Sequence, residues 1–232
     1  MVDYRLSYLL AVSLLVPIWF LFFFLRKDLR KEMIVIGFLF GTIGVLSNII
    51  FVKDWWHPIN MTNTPIGPED IIYSFLIAGI SSVIFKVIFK KKMIVELKDN
   101  VQKENFKITS IWIAGILLFS ASFYVLKIHS FYAFIISFSM CTAIIWLQRK
   151  DLILPSLISG FLTVIAAFPS YVITEYITPG WIERTWYLNK LSGIIILYAP
   201  LEDMIFHFWV GTFIGILFAY WKGGKIIKYE NN

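Results

Sequence analysis

The chain has one cysteine and three histidines in 232 residues. A lone thiol, Cys141, rules out an intramolecular disulfide and a thiolate metal cluster, and reads as a small packing residue. His57, His129 and His207 lie in separate segments, with no H-E-x-x-H pair. Glycine-rich phosphate loops and nucleophile elbows are missing too. No metal and no other cofactor is therefore expected. Charge is also scarce. Charged residues make up 16% of the chain and fall almost wholly between long apolar runs.

Those runs dominate what is present. Apolar residues reach 59%, and seven stretches approach the length needed to cross ~30 Å of hydrocarbon. They are Leu6 to Leu25, Met33 to Val52, Ile71 to Phe89, Ile108 to Leu126, Ser130 to Leu147, Leu152 to Ile173 and Met204 to Trp221. Barrel strands would be half as long and would alternate, so the spans predict helices. The first is too long for a cleavable signal peptide, and a second span follows at once.

The net charge of +6 is a topology signal rather than a nucleic-acid footprint. Arg26, Lys27, Arg30 and Lys31 follow span one, and Lys90, Lys91, Lys92, Lys98, Lys103 and Lys107 follow span three. Arg149 and Lys150 follow span five; Lys222, Lys225 and Lys228 follow span seven. The other side keeps only Arg5, Lys53, Lys127, Arg184 and Lys190. The positive-inside rule then puts the N-terminus outside and the C-terminus in the cytoplasm. A multi-pass protein of a prokaryotic plasma membrane is expected.

Two landmarks recur. Arg26-Lys27-Asp28-Leu29 closes span one and Arg149-Lys150-Asp151-Leu152 closes span five, 123 residues later. Pro68-Glu69-Asp70 opens span three and Pro200-Leu201-Glu202-Asp203 opens span seven, their acid pairs 133 residues apart. The pattern predicts two parallel three-helix repeats joined by a linking helix, a 3+1+3 bundle. The first repeat takes residues 1–92, the loop and linking helix 93–128, and the second repeat 129–232. About ten extra residues lie before the second acid motif, where the apolar stretch Leu191 to Ala199 is too short to cross. It must re-enter, lie along the interface or extend span seven beyond Pro200, shielding Glu202 and Asp203 in each case. The first-half equivalent, His57 to Gly67, is polar and reads as a solvated loop.

Carboxylates bordering hydrocarbon are expensive and need a reason. Helix capping and the helix dipole explain one such motif, but two matched copies suggest one site shared between the halves. Residues four apart share a helix face, setting Glu69 above Tyr73, Asp203 above His207 and Glu202 above Phe206. Trp55, Trp56, Trp181, Trp186 and Tyr187 gather at the same end, as an aromatic belt or as rings to face a cation. A retinal protein would need a lysine within span seven, which has none before Lys222. A prenyl-endopeptidase-type protease would carry an arginine after the acid pair, and a 3+1+3 sugar carrier a Pro-Gln pair; neither occurs.

An acid pair in P-x-E-[ED] form opening a span, after a Trp-rich loop and a Ser-Gly-Ile stretch, resembles the lycopene cyclase domain of carotenoid biosynthesis. Pro200-Leu201-Glu202-Asp203 fits the pattern directly; in Gly67-Pro68-Glu69-Asp70 the proline directly precedes the glutamate. The resemblance implies acid-catalysed, non-redox cyclisation of an acyclic polyene or related isoprenoid. It implies Glu202 as proton donor or its close partner, Glu69 completing the site, and Asp70 and Asp203 in support. Trp55, Trp56, Tyr73, Trp186, Phe206 and His207 would line the substrate. Expected partners are the lipid bilayer, a hydrophobic polyene or isoprenoid substrate and enzymes of the carotenoid pathway, with no nucleic acid. An isoprenoid or small-molecule carrier, and a noncatalytic carotenoid-binding or assembly protein, stand as alternatives.

Overall fold

The structure, a computed structural model, describes residues 4–95 and 101–229, with the side chains of 101–104 excepted. Lys98 lies outside the described residues, as does the Lys103 side chain. Among the described residues, seven helices are long and apolar enough to cross a membrane. They are α1 (Tyr4–Leu25), α2 (Lys27–Phe51), α3 (Pro68–Ile88), α4 (Asn105–Val125), α5 (Ser130–Gln148), α6 (Lys150–Ile177) and α7 (Leu201–Lys222). Each coincides with an expected span, and the chain is a multi-pass membrane protein.

Local chemistry sets the ends. In α1 the helix is interrupted at Leu14, where Pro17 has no N–H for the Ser13 carbonyl. Helix α6 runs past the expected Ile173 because Thr174 is fully buried and Glu175 accepts from the Gly180 and Ile182 amides, at 2.6 and 2.9 Å. The α7 terminus closes on Gly223 in the left-handed region (φ 61°), with Gly224 N–H donating to the Ala219 carbonyl at 2.8 Å.

The interior mixes apolar side chains such as Leu15, Ile36 and Phe213 with buried polar ones such as Ser81, Thr163 and Thr212, while further large apolar side chains such as Phe24, Phe38 and Leu117 face outward. That is the distribution expected when lipid, not water, surrounds the bundle. Helices α2 and α3 pack closely, as do α6 and α7. Gly37 abuts Phe75 in the first pair, and Gly160 abuts Phe208 in the second.

At one end, β1 (Lys91–Ile94) continues α3, and β4 (Lys225–Lys228) continues α7; the two pair antiparallel. The repeated basic tetrapeptides lie here. Arg26 grips Asp28 through Nε and Nη2 at 2.9 and 2.8 Å, and Arg149 grips Asp151 through the same atoms at 2.7 and 2.6 Å. Each guanidinium also reaches an adjoining backbone carbonyl, Lys91 O for Arg26 and Gly224 O for Arg149.

At the opposite end two loops meet. An isolated antiparallel bridge joins Trp56 to Trp186, flanked by His57 N–H donating to Thr185 O (2.7 Å) and Tyr187 N–H to Trp55 O (3.0 Å). The stretch before α7 is a small hairpin, β2 (Ile195–Ile196) against β3 (Ala199–Pro200). Its turn residues Leu197 and Tyr198 both adopt positive φ, 47° and 69°, as a two-residue primed turn demands. It is therefore not a helical extension of α7, which begins at Leu201.

Candidate functional site

A chamber of about 80 Å³ opens beneath the paired loops, at the end of the bundle where α3 and α7 begin. Asp70 and Asp203 both line it, one from each acid motif, and Trp55, Trp56, Tyr73, Trp186, Phe206 and His207 complete much of its wall. The structure thus brings together all six expected substrate-lining residues and two of the four expected acids. Glu69 and Glu202 do not line it. Glu69 Oε1 accepts from the Met61 amide at 2.9 Å, and Glu202 Oε1 accepts from the Ser192 amide at 2.7 Å. Each glutamate fastens the loop preceding its own helix.

Each aspartate is held by both oxygens. Asp70 Oδ2 accepts from its own N-cap amide, Gly67 N–H, at 2.7 Å, while Oδ1 accepts from the Tyr8 hydroxyl at 2.9 Å. Capping therefore accounts for half of Asp70's bonds. It accounts for none of Asp203's: Trp55 Nε1–H donates to Oδ1 at 3.0 Å and the Tyr171 hydroxyl to Oδ2 at 2.8 Å. Two separate segments, the first loop and α6, thus converge on a carboxylate carried by α7.

His207 ties the wall together. Its Nδ1 lies 2.6 Å from the Asp203 carbonyl, which can only accept, so Nδ1 carries the proton. In the neutral ring Nε2 is then an acceptor, and the Tyr73 hydroxyl donates to it at 2.5 Å. The rings of Trp55 and Phe206 meet edge-on at 5.2 Å, and those of Tyr8 and Trp56 at 5.3 Å. The chamber is thus two carboxyls in an aromatic enclosure.

The first loop is solvated at its tip as expected, with Met61 to Pro65 exposed, but it is anchored at its base. Asn60 is fully buried, and its side chain bonds Thr64 O at 2.6 Å while accepting from Thr62 and Thr64. Glu69 is 1% exposed and Glu202 3%, so the two acid motifs are buried alike rather than unequally. Outside the spans, burial aided by the Lys190 ammonium pushes the His57 imidazole below its ordinary range. His57 stacks on Tyr187 with ring centroids 4.1 Å apart.

Tyr8, Tyr171 and Asn48 were not among the expected residues, although all line the chamber. Asn48 accepts from Trp56 Nε1–H at 2.7 Å. A polar side chain inside an otherwise apolar span is the signal that marks Asn48. For the two tyrosines no signal separates them from an aromatic belt.

A sequence model of the family described as Lycopene cyclase matches residues 129–221, well under half of the chain. The matched stretch holds Tyr171, Trp186, Glu202, Asp203 and His207; Tyr8, Trp55, Asp70 and Tyr73 precede it. No curated protein and no solved structure matches the chain.

Proposed function

We propose that this chain is a lycopene-cyclase-like membrane enzyme, isomerising the end group of an acyclic carotenoid or related isoprenoid with Asp70 and Asp203 as its acid–base pair. The observation that carries the reading is the convergence of those two aspartates on one aromatic chamber. The partial Lycopene cyclase match adds lineage over α5 to α7.

The chemistry balances without an oxidant. A neutral carboxyl adds its proton to the terminal trisubstituted double bond of the polyene, leaving a tertiary carbocation. The neighbouring double bond closes on that carbon, which forms the ring bond and moves the charge inside the ring. A carboxylate then removes a ring proton and a new double bond forms, so substrate and product are isomers. Positioned acid–base groups supply on the order of 10²–10⁴-fold. Coupled carboxyls titrate together, so donor and base roles belong to the pair. The faces of Trp55, Trp56, Trp186 and Phe206 suit a passing carbocation. At about 80 Å³ the chamber is far below the ~300 Å³ of typical ligand sites, so substrate binding requires it to widen.

The same reading takes the bundle as two parallel three-helix repeats, with α4 as linker, the acid end outside and the basic end in the cytoplasm of a prokaryotic cell. Three observations support duplication: the matched arginine–aspartate grips, the matched glycine–phenylalanine contacts, and the loop amides held alike by Glu69 and Glu202. Antiparallel pairing of β1 with β4 is what a twofold axis along the membrane normal produces between equivalent strands.

Pigment chromatography of a lycopene-accumulating bacterial host tests the reading. Wild type should yield cyclic carotenes, and Asp70→Asn or Asp203→Asn should leave lycopene linear. Linear lycopene with abundant wild-type protein in the membrane would count against cyclisation of that substrate.

A further inference from the structure

The basic end of the bundle holds a second and larger cavity, of about 370 Å³, bounded by the starts of α2, the end of α7 and the β1–β4 ribbon. Two carboxylates line it, and both are already neutralised from within. Asp28 is gripped by Arg26, and Glu32 receives both of its bonds from the buried Lys86 ammonium, at 2.6 and 2.7 Å. Three lysines share the same lining, Lys31, Lys92 and Lys222.

Among the described residues, charge therefore fails to balance within the cleft. Lys31 and Lys222 both line it and repel each other, a cost that a bound anion would offset. Lys222 rests 3.8 Å above the Trp221 ring, which orients its ammonium without neutralising it. The remaining wall is largely apolar, with Leu29, Met93, Val95 and Phe218 beside the Tyr229 ring. A small inorganic anion would gain nothing from that wall; a phosphodiester attached to glycerol and acyl chains would use it.

We infer that this cleft is a binding site for the headgroup of an anionic glycerophospholipid, with Lys31, Lys92 and Lys222 on the phosphate and the apolar wall against the glycerol and upper acyl carbons. The volume suits such an occupant, since ligand sites generally begin near ~300 Å³. Its position suits a lipid as well, because the cleft lies where membrane helices end and a bilayer presents phosphates. Basic pockets between such helices are a recurrent setting for anionic lipid.

The full chain, purified in a neutral detergent, gives the test. Its thermal midpoint and its bound lipid by native mass spectrometry would be followed on adding phosphatidylglycerol, phosphatidylcholine or inorganic phosphate. Phosphatidylglycerol should raise the midpoint and remain bound, and the other two should not. Each of Lys31→Gln, Lys92→Gln and Lys222→Gln should weaken phosphatidylglycerol binding about fivefold. The triple variant should lose it, while Lys53→Gln/Lys127→Gln at the other end keeps it. If the triple variant does not fold, the three single variants decide by the same binding measurement. Equal response to phosphatidylcholine, a full response to phosphate alone, or undiminished binding in the lysine variants would each overturn the proposal.

Discussion

The Tyr73 hydroxyl donates to His207 Nε2 across 2.5 Å, joining the third helix to the seventh at the wall of the chamber. The other ring nitrogen is spent on the Asp203 carbonyl, so His207 has a fixed tautomer and both nitrogens engaged. Tyr73→Phe leaves Nε2 buried and without its donor, at a cost of about 1–3 kcal/mol. His207→Phe strands the tyrosine hydroxyl in the same way. The double variant should therefore be less destabilised than the sum of the singles. A double-mutant cycle on thermal midpoints in detergent reads the coupling, and strict additivity would show that the two groups do not interact.

The acid motifs should divide by role. Asp203→Asn or Asp70→Asn removes a proton-exchanging group from the chamber wall and should lower cyclisation on the order of 10²–10⁴-fold with the protein still folded. Glu69→Gln and Glu202→Gln keep a carbonyl oxygen for the Met61 and Ser192 amides. Their activity should stay within about tenfold of wild type, the effect of one weakened hydrogen bond. Product ratios from chromatography, normalised to membrane protein, measure both. A glutamate variant as dead as the aspartate variants would return the glutamates to the chemistry.

The seven spans were legible because span length is a one-dimensional property, set by bilayer thickness and written in apolar runs. The chamber was legible in part. Acid residues at helix starts are conspicuous, but which of two adjacent acids points inward depends on helix rotation, set by packing such as Gly37 against Phe75. Tyr8 and Tyr171 were invisible because a hydroxyl matters only once its partner is known, and their partners lie 62 and 32 residues away. The loop before α3 was legible in part: Met61 to Pro65 are exposed as its polar composition suggests, whereas Asn60 is buried because Thr62 and Thr64 satisfy its side chain.

Close helix contact predicts intolerance at Gly211. A Cβ there would meet Thr163 Oγ1 at 2.4 Å and the Ser159 carbonyl oxygen at 2.6 Å. Backbone cannot rotate away, so α6 and α7 must separate. Gly211→Ala should destabilise by about 1–3 kcal/mol, the usual penalty for overpacking. Gly193→Ala tests the contrast: the nearest atom to its Cβ is 3.8 Å away, yet φ is 72°, so strain alone should be felt. A milder fall in thermal midpoint than for Gly211→Ala is expected, and the reverse order would contradict this packing.

Acid should loosen the paired loops through His57. Because the folded loops hold its imidazole below the ordinary range, the unfolded chain binds the proton more readily. The stabilising contribution is complete above the ordinary histidine value of about 6.5 and is lost as pH falls from there toward the lowered folded value. His57→Gln should flatten the dependence of the thermal midpoint between about pH 7 and 5. An unchanged slope would assign the acid sensitivity to other groups.

Glu32 and Lys86 form a salt bridge that is 3% and 1% exposed, between helices α2 and α3 near the basic end. Desolvating two charges is costly, and their mutual attraction offsets that cost only while both are present. Lys86→Met should therefore leave an uncompensated carboxylate and destabilise by about 3–5 kcal/mol, and Glu32→Leu should do the same for the ammonium. Replacing both at once removes the charges together with their desolvation cost, so Lys86→Met/Glu32→Leu should recover most of the lost stability. Unfolding in detergent, followed by tryptophan fluorescence, would measure all three. A double variant as unstable as the sum of the singles would mean that the pair contributes through packing rather than charge. Recovery would show that this ion pair is replaceable for folding, and would allow the cleft beside it to be probed in a stable protein.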